Sequence, residues 1–432
     1  MNYTLTENLV NLIRTKSIQP EDLHKAALFT LDAIANYIGG RQTKVGRLLC
    51  DWGEKQCNSA HQGLLMGALT HILETDDLHR ASVTHPGCVV VPAVFTLGKK
   101  KRSNGRDMLV AILHGYEAMC RIGNSVGQAH YKIWHNTATC GPFGSAMCTS
   151  TMLNLDKEQS VHALGNAGTQ SSGLWQFLET GAMSKHLHAG RAVESGIIAA
   201  ELAMIGFTGP TAILEGSKGF YAGLCPDPLP EAVLAKPAAP WQLLQTSIKP
   251  WPSCRHTHPS IDAALSLHKI LKGRNIKSIK ANVYQATLDI CDQPNPKTEY
   301  EAKFSIYHCI AAAINDGAVV FGSFSEQSRN RLSDIRNKIS VQVSEPFKSA
   351  YPDKYWGASI SVTTMNGEVL TETRNVCKGD PEASLSESEM LSKAEMLLSY
   401  GGFTSSQTKA LIHTIMDMPN NKSDWEILDS IV

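Results

Sequence analysis

The sequence has no excess of either charge, since 40 basic side chains are matched by 40 acidic ones. Nucleic acids and anionic membrane surfaces select for a basic excess, so neither is an expected partner. No stretch reaches the length of a spanning helix without charges or helix breakers, so no membrane span is expected. The N-terminus, Met1-Asn2-Tyr3-Thr4-Leu5-Thr6-Glu7, has no basic segment followed by an apolar run, and no signal peptide is expected. Glycine-rich phosphate loops of the GxxxxGK or GxGxxG kind do not occur, which leaves nucleotide cofactors without support. The 11 cysteines form neither a CxxC pair nor a clustered run. Zinc ribbons, dithiol redox motifs and iron–sulfur clusters need such spacings. An odd number of scattered thiols fits a reducing cytoplasm.

What is present suits a globular protein with a large core: 432 residues, 43% hydrophobic and 19% charged. That length favours two domains. The first half reads helical. Thr6 to about Thr15 is one segment. Pro20 to about Ile38 is another, with Leu23, Ala26, Ala27, Leu31, Ile34 and Ile38 at helix period and Gly39-Gly40 at its end. His61 to Leu73 is amphipathic, and His71 falls off its apolar stripe, so it reads as structural or solvated. Further helices are expected over Cys88 to Leu97, Met108 to Val126, from about Phe143, Gln159 to Leu178, and Lys185 to about Gly206.

Three stretches concentrate groups suited to acid–base chemistry. Lys185 and His188 are three apart and share a helix face. Ala189, Gly190, Ala192, Gly196, Ala199 and Ala200 follow, and so many small residues let another backbone approach closely. The segment from Glu74 to His85 holds Glu74, Asp76, Asp77, His79 and His85 within 12 residues and then meets Pro86. Pro86 pushes His85 to an extended backbone and is suited to start the next helix. Between Ala129 and Gly144, aromatic residues alternate with His130, His135 and hydroxyl groups, and His135-Asn136-Thr137 has the composition of a helix start, where backbone N–H groups favour anions.

Beyond Gly209-Pro210 a proline-rich connection leads to Lys249-Pro250-Trp251-Pro252-Ser253-Cys254-Arg255-His256-Thr257-His258-Pro259. A basic run before a helix start suits carboxylate binding or a basic surface loop. Ile276 to Asp292 alternates like a strand, and Phe304 to Gly317 reads as a helix. Ile339 to Val343 is a strand, and Ala358 to Arg374 is a strand pair turning at Met365-Asn366-Gly367-Glu368. Leu385 to Leu398 and Ser405 to Met416 return to helix. The expected architecture is mainly α: an all-helical domain at 1–246 and 396–432, and a smaller α/β lid domain at 247–395.

The blocks Asp76-Asp77-Leu78-His79 with His85-Pro86-Gly87, Trp134-His135-Asn136-Thr137, Met183-Ser184-Lys185-His186-Leu187-His188-Ala189-Gly190-Arg191, Gly206-Phe207-Thr208-Gly209-Pro210 and Trp251-Pro252-Ser253-Cys254-Arg255 resemble, in order, those of the MmgE/PrpD family. That family includes 2-methylcitrate dehydratase, cis-aconitate decarboxylase and iminodisuccinate epimerase. The resemblance implies a large helical domain with a smaller α/β lid, a homodimer, and no metal or organic cofactor. It implies a small polycarboxylate substrate and bond breaking next to a carboxylate, which needs cations on the developing charge and a placed acid and base. It assigns proton transfer to His85 and Lys185, with Asp77, His79 and His135 around them and Tyr131 as a further acid or base. Arg255, His256 and His258, with Asp76 and His188, would hold the substrate. The sequence departs from the family pattern in three places. Glu74 stands where members often have Asp, Leu78 replaces a common Thr or Ser, and the spacing from Tyr131 to Trp134 is one residue shorter. Dehydration of 2-methylcitrate or a related tricarboxylate is the leading expectation, ahead of cis-aconitate decarboxylation and amino-dicarboxylate epimerisation. A protein keeping this fold for binding alone would be expected to lose the acid–base set, which is present here.

Overall fold

The computed structural model describes residues 3–53, 58–352 and 354–431. Two compact units emerge, Met1–Ser247 with Ser386–Val432, and Ile248–Leu385.

The first unit is helical. Its elements are α1 (Leu5–Thr15), α2 (Pro20–Gly40), α3 (Lys44–Gly53), α4 (Ser59–Thr70), α5 (Gly87–Lys101), α6 (Gly105–Gly123), α7 (Gln128–Tyr131), α8 (Asn136–Met152), α9 (Lys157–Gly168) and α10 (Ser184–Met204), followed late in the chain by the helices Glu387–Tyr400 and Ser405–Met416. Local chemistry sets many of the starts. Thr4 and Glu7 form a reciprocal cap on α1, Asp156 and Gln159 do the same for α9, and Pro20 opens α2. α10 runs through the middle and packs on α4, α5, α8 and α9. Its small residues make that possible. A Cβ at Gly190 would lie 2.4 Å from the Leu64 carbonyl oxygen, and one at Gly196 would lie 2.3 Å from Ser145 Cβ.

The second unit holds a four-stranded sheet of β1 (Ile276–Val283), β2 (Ile339–Val343), β3 (Ala358–Thr364) and β4 (Val369–Arg374), in the order β2-β1-β3-β4. β1 and β2 are parallel, with Ile279 opposite Ile339, and the chain between them crosses over through helices. The other pairings are antiparallel, and Gly367 makes the β3–β4 turn with φ 87°. Ile279, Ala281, Ile360 and Val362 face one core with Ile261, Ala264 and Leu267 of the helix His258–Leu271 and Ile310 of the helix Ile306–Asp316.

The family resemblance and the mainly α architecture with a smaller α/β part agree with what is observed. Four local expectations differ. The α/β unit ends at Leu385 rather than 395, because the helix Glu387–Tyr400 packs on α2 and a break at 395 would cut it. α8 starts at Asn136, well before Phe143, and carries Pro142 inside it. Every residue from Asn136 to Ser150 is buried, so packing holds the turn that the proline disfavours. The segment 159–178 is not one helix. α9 stops at Gly168, Gly173 turns with φ 120°, and a 3₁₀ turn follows at Trp175–Glu179. The segment 276–292 is strand only to Val283 and then helical over Gln285–Cys291, because its alternation continues into a short turn with Thr287 and Cys291 inward.

Candidate active site

Three helix ends of the first unit converge on a buried group of imidazoles. His71 caps the C-terminus of α4, His135 caps the N-terminus of α8, and Lys185, His186 and His188 lie in the first turns of α10. The loop from α4 to α5 supplies Glu74, Asp76 and His85. Two of its residues, Glu74 at φ 60° and Val83 at φ 50°, take the left-handed conformation that side chains disfavour, and such strain persists only where the surroundings over-determine it. The surroundings here are visible. The Lys393 ammonium holds the Thr75 carbonyl at 2.7 Å and the Asp32 carboxylate at 2.5 Å, and the Thr75 hydroxyl donates to Asn36. The Leu78 and Ser247 backbones exchange hydrogen bonds of 2.8 Å.

His71 lies at the centre. Its ring stands 4.7 Å from His85, 5.8 Å from His135 in a stacked arrangement, and 6.4 Å from His186. Its Nδ1 is 2.6 Å from Asp76 Oδ2. The expectation of a structural or solvated His71 is therefore corrected in part: it is fully buried within the cluster. The sequence signal misled because α4 is buried around most of its circumference, so lying off the Leu64/Ala68 stripe says little about exposure.

His85 is partly exposed, and its Nδ1 is 2.6 Å from the Asp77 carbonyl and 3.4 Å from Asp76 Oδ2. A carbonyl only accepts, so Nδ1 carries the hydrogen and, in the neutral ring, Nε2 is the basic nitrogen. Lys185 is buried and ion-paired with Glu74, also buried. His135 and His188 face each other Nδ1 to Nδ1 at 3.3 Å, which requires one nitrogen to donate and the other to accept. Burial, with the cationic forms of His71 and Lys185 nearby, pushes His135 well below the usual imidazole range and His188 down to about 4. The Trp175 ring packs 4.7 Å from His135, held there by hydrogen bonds between Trp175 N–H and the Ile133 carbonyl and between His135 N–H and the Gly173 carbonyl. Trp175 Nε1 and Asn136 Oδ1 are buried without a hydrogen-bond partner among the described residues.

The remaining residues singled out from the sequence are placed differently. The Asp77 carboxylate accepts from Tyr116 O–H at 2.7 Å and from Gly87 N–H at 2.9 Å, bracing the start of α5. Burial, with Asp76 alongside, raises it to about 8. His79 turns to the Ser82 hydroxyl at 2.8 Å, and burial lowers it to about 4. Tyr131 is half-buried and meets the cluster through Trp175, edge-on at 5.3 Å. Asp76 was expected to help hold a carboxylate substrate, but it is a buried carboxylate that meets imidazoles.

In the second unit the basic run is packed inward. Arg255 pairs with Asp380 at 2.5 Å, and both side chains are buried. His256 stacks flat on Trp356 at 4.9 Å and bonds the Tyr284 hydroxyl at 2.8 Å, and burial lowers it to about 3. His258 is fully buried against Trp251 with Nε2 3.3 Å from the Ser253 carbonyl. None of the three lies in the basic surface loop that is one of the two readings of the sequence, because a 3₁₀ turn at Arg255–Thr257 and the helix that starts at His258 hold all of them buried. Lys249, not singled out from the sequence, is buried as well.

His71, Asp76 and Cys88 bring N, O and S atoms within 4.8 Å of one another. Burial and the two aspartates push the Cys88 thiol well up, and it donates to the His85 carbonyl at 3.1 Å. The thiol bonds the His85 carbonyl and the Asp76 carboxylate bonds His71 Nδ1, so the three groups are held together by hydrogen bonds.

Comparison with known proteins gives the family of the chain. The MmgE/PrpD N-terminal domain matches residues 7–232, and the MmgE/PrpD C-terminal domain matches residues 251–417. The chain belongs to the MmgE/PrpD family. Similar members of the MmgE/PrpD family include the human cis-aconitate decarboxylase, 26% identical over 364 residues that cover 79% of this chain and 73% of that protein. The mouse cis-aconitate decarboxylase is 27% identical over 346 residues, 76% of this chain and 69% of that protein. The cis-aconitate decarboxylase of Aspergillus terreus is 25% identical over 385 residues, 78% of this chain and 77% of that protein. No helix among the described residues is long and apolar enough to cross a membrane.

Proposed function

We propose that this chain is a lyase that removes a carboxyl group from a small unsaturated tricarboxylate of the cis-aconitate kind. The observation that carries the proposal is the buried meeting of Lys185, Glu74, Asp76 and the imidazoles of His71, His85, His135 and His188 at the ends of α4, α8 and α10. The names of the similar family members support decarboxylation ahead of the dehydration of 2-methylcitrate that leads among the reactions the family resemblance implies. In such a reaction the carbon–carboxylate bond breaks and carbon dioxide leaves. The electron pair stays on carbon, delocalised toward the neighbouring double bond and carboxylate, and takes up one proton. His85 and Lys185 are the proposed proton donors, while the cationic side chains offset the charge that builds on the substrate. Trp175 Nε1 and Asn136 Oδ1, buried without partners among the described residues, are the donor and acceptor that a polar ligand would satisfy. Arg255 keeps a buried Nη1 without a partner among the described residues, and it is a proposed anion contact only in that respect. A homodimer is proposed on the family resemblance, and light scattering on the eluted protein tests it.

The test is incubation of the purified protein, with nothing added, with cis-aconitate, 2-methylcitrate and citrate separately, with products followed by NMR. Carbon dioxide and a dicarboxylate from cis-aconitate are the expected result. An unsaturated acid from 2-methylcitrate or citrate would instead place the chain with the dehydratases. No change in any of the three would reject both.

A further inference from the structure

One carboxylate serves two imidazoles. Asp76 Oδ2 is 2.6 Å from His71 Nδ1 but 3.4 Å from His85 Nδ1, and the two rings stand edge to face at 4.7 Å. The first distance is that of a short, charge-assisted hydrogen bond, and the second is longer than a well-formed one. His85 Nδ1 gives its hydrogen to the Asp77 carbonyl at 2.6 Å instead. We propose that His71 is a positioning residue that holds the Asp76 carboxylate away from His85 and so limits how strongly that carboxylate draws a proton onto His85. This rests on the reading of His85 as a proton-transfer group.

The direction of the effect is the same for either charge on His71. A neutral His71 occupies Asp76 with its Nδ1–H. Without it the carboxylate loses that donor, and turning to His85 stabilises the imidazolium. A protonated His71 adds a like charge beside His85, and removing it also favours the imidazolium. The other charged groups around the pair stay in place in both cases. These are Asp77 next to Asp76 on the loop, raised to about 8 by burial and by Asp76, Lys185 paired with Glu74 where α10 meets the loop, His135 at the start of α8, His186 and His188 beside Lys185, and the Cys88 thiol in α5. His135 is held neutral by burial and the Cys88 thiol by burial and the aspartates, so neither counters the change.

The experiment is an NMR titration of the histidine rings in the full chain, without substrate, with His85→Gln used to assign the His85 signal. His71→Leu is expected to raise the His85 midpoint by about one pH unit, as for an opposite charge brought into contact. The alkaline limb of kcat/KM, where His85 loses the proton it donates, is expected to move to higher pH with it. His71→Asn places an amide N–H near the position of Nδ1 and is expected to bring both back. If His71→Leu does not fold, Asp76→Asn removes the shared charge and is expected to lower the midpoint. A His85 midpoint unmoved in a folded variant overturns the proposal. The ring titration needs no turnover, so a protein inactive on every acid offered rejects the proposed function and leaves this test standing. An active protein with an unmoved midpoint rejects this proposal alone.

Discussion

Replacing Lys185 by Met separates the two roles the structure gives it. The side chain is 5% exposed and its partner Glu74 is 2% exposed, so the ion pair is shielded from water on both sides. Two buried opposite charges roughly offset their own desolvation, whereas one left alone does not. Lys185→Met takes the countercharge from the buried Glu74 carboxylate and is expected to cost about 3–5 kcal/mol, as does breaking other buried pairs. Glu74→Leu takes the countercharge from the buried ammonium and is expected to cost a similar amount. The double variant removes both charges and fills the space with apolar groups, so it is expected to return to within about 2 kcal/mol of the parent. Turnover behaves differently, because a group that moves a proton is not replaced by a thioether. Both variants that lack Lys185 are expected to lose it. The assay is urea unfolding followed by far-UV circular dichroism, which the helical unit dominates, alongside product formation on the same samples. Additive losses in the double variant would refute the paired-charge reasoning. A rate recovered together with stability would refute the proton-transfer role of Lys185.

Asp77 makes the stability of the helical unit depend on pH. Its folded-state value of about 8 lies above the ordinary 3.8, so its contribution is full below about pH 4 and is lost as pH rises toward 8. Relative to Asp77→Asn, the parent is expected to lose about 1.4 kcal/mol per pH unit between pH 5 and 8, and guanidinium unfolding at three pH values checks it. A difference that stays flat would show that Asp77 is ionised in the fold. Arg255→Ala removes the buried guanidinium that pairs with the Asp380 carboxylate and is expected to destabilise the α/β unit by about 3–5 kcal/mol. The fluorescence of Trp356, over which Arg255 sits at 5.7 Å, is the readout. Unchanged unfolding with a raised KM would return Arg255 to the carboxylate-binding role that the sequence suggested.

The parts of the fold and site that are legible in the sequence are those set by local pattern. The strands Ile339–Val343 and Ala358–Arg374 and the helix Ser405–Met416 follow from alternation, an Asn-Gly turn and a helical period. Lys185 and His188 stand out because a cation and an imidazole precede a run of small residues, and small residues mean close packing. His85 stands out because a proline fixes its backbone. What is not legible depends on contacts made across the chain. His71 is read as structural or solvated by periodicity, but the second half of α4 from Met66 is buried all round against neighbours that include α2, α5 and α10. Asp76 and Asp77 are neighbours of one type with different fates. One turns to imidazoles and the other to Tyr116, whose position 39 residues away the sequence cannot reveal. The basic run at Arg255–His258 looks like a solvated loop because its carboxylate partner, Asp380, lies 125 residues on.

The most direct test of the account is turnover of cis-aconitate in deuterium oxide by the parent chain, His85→Gln and Lys185→Met, with carbon dioxide and product deuteration measured together. The account expects carbon dioxide release by the parent with one solvent deuteron in each product. It expects a loss of at least about 10²-fold in each variant, the usual contribution of one placed acid or base. Full-rate release by both variants would contradict it, because the chemistry would then lie outside the buried imidazole and lysine group.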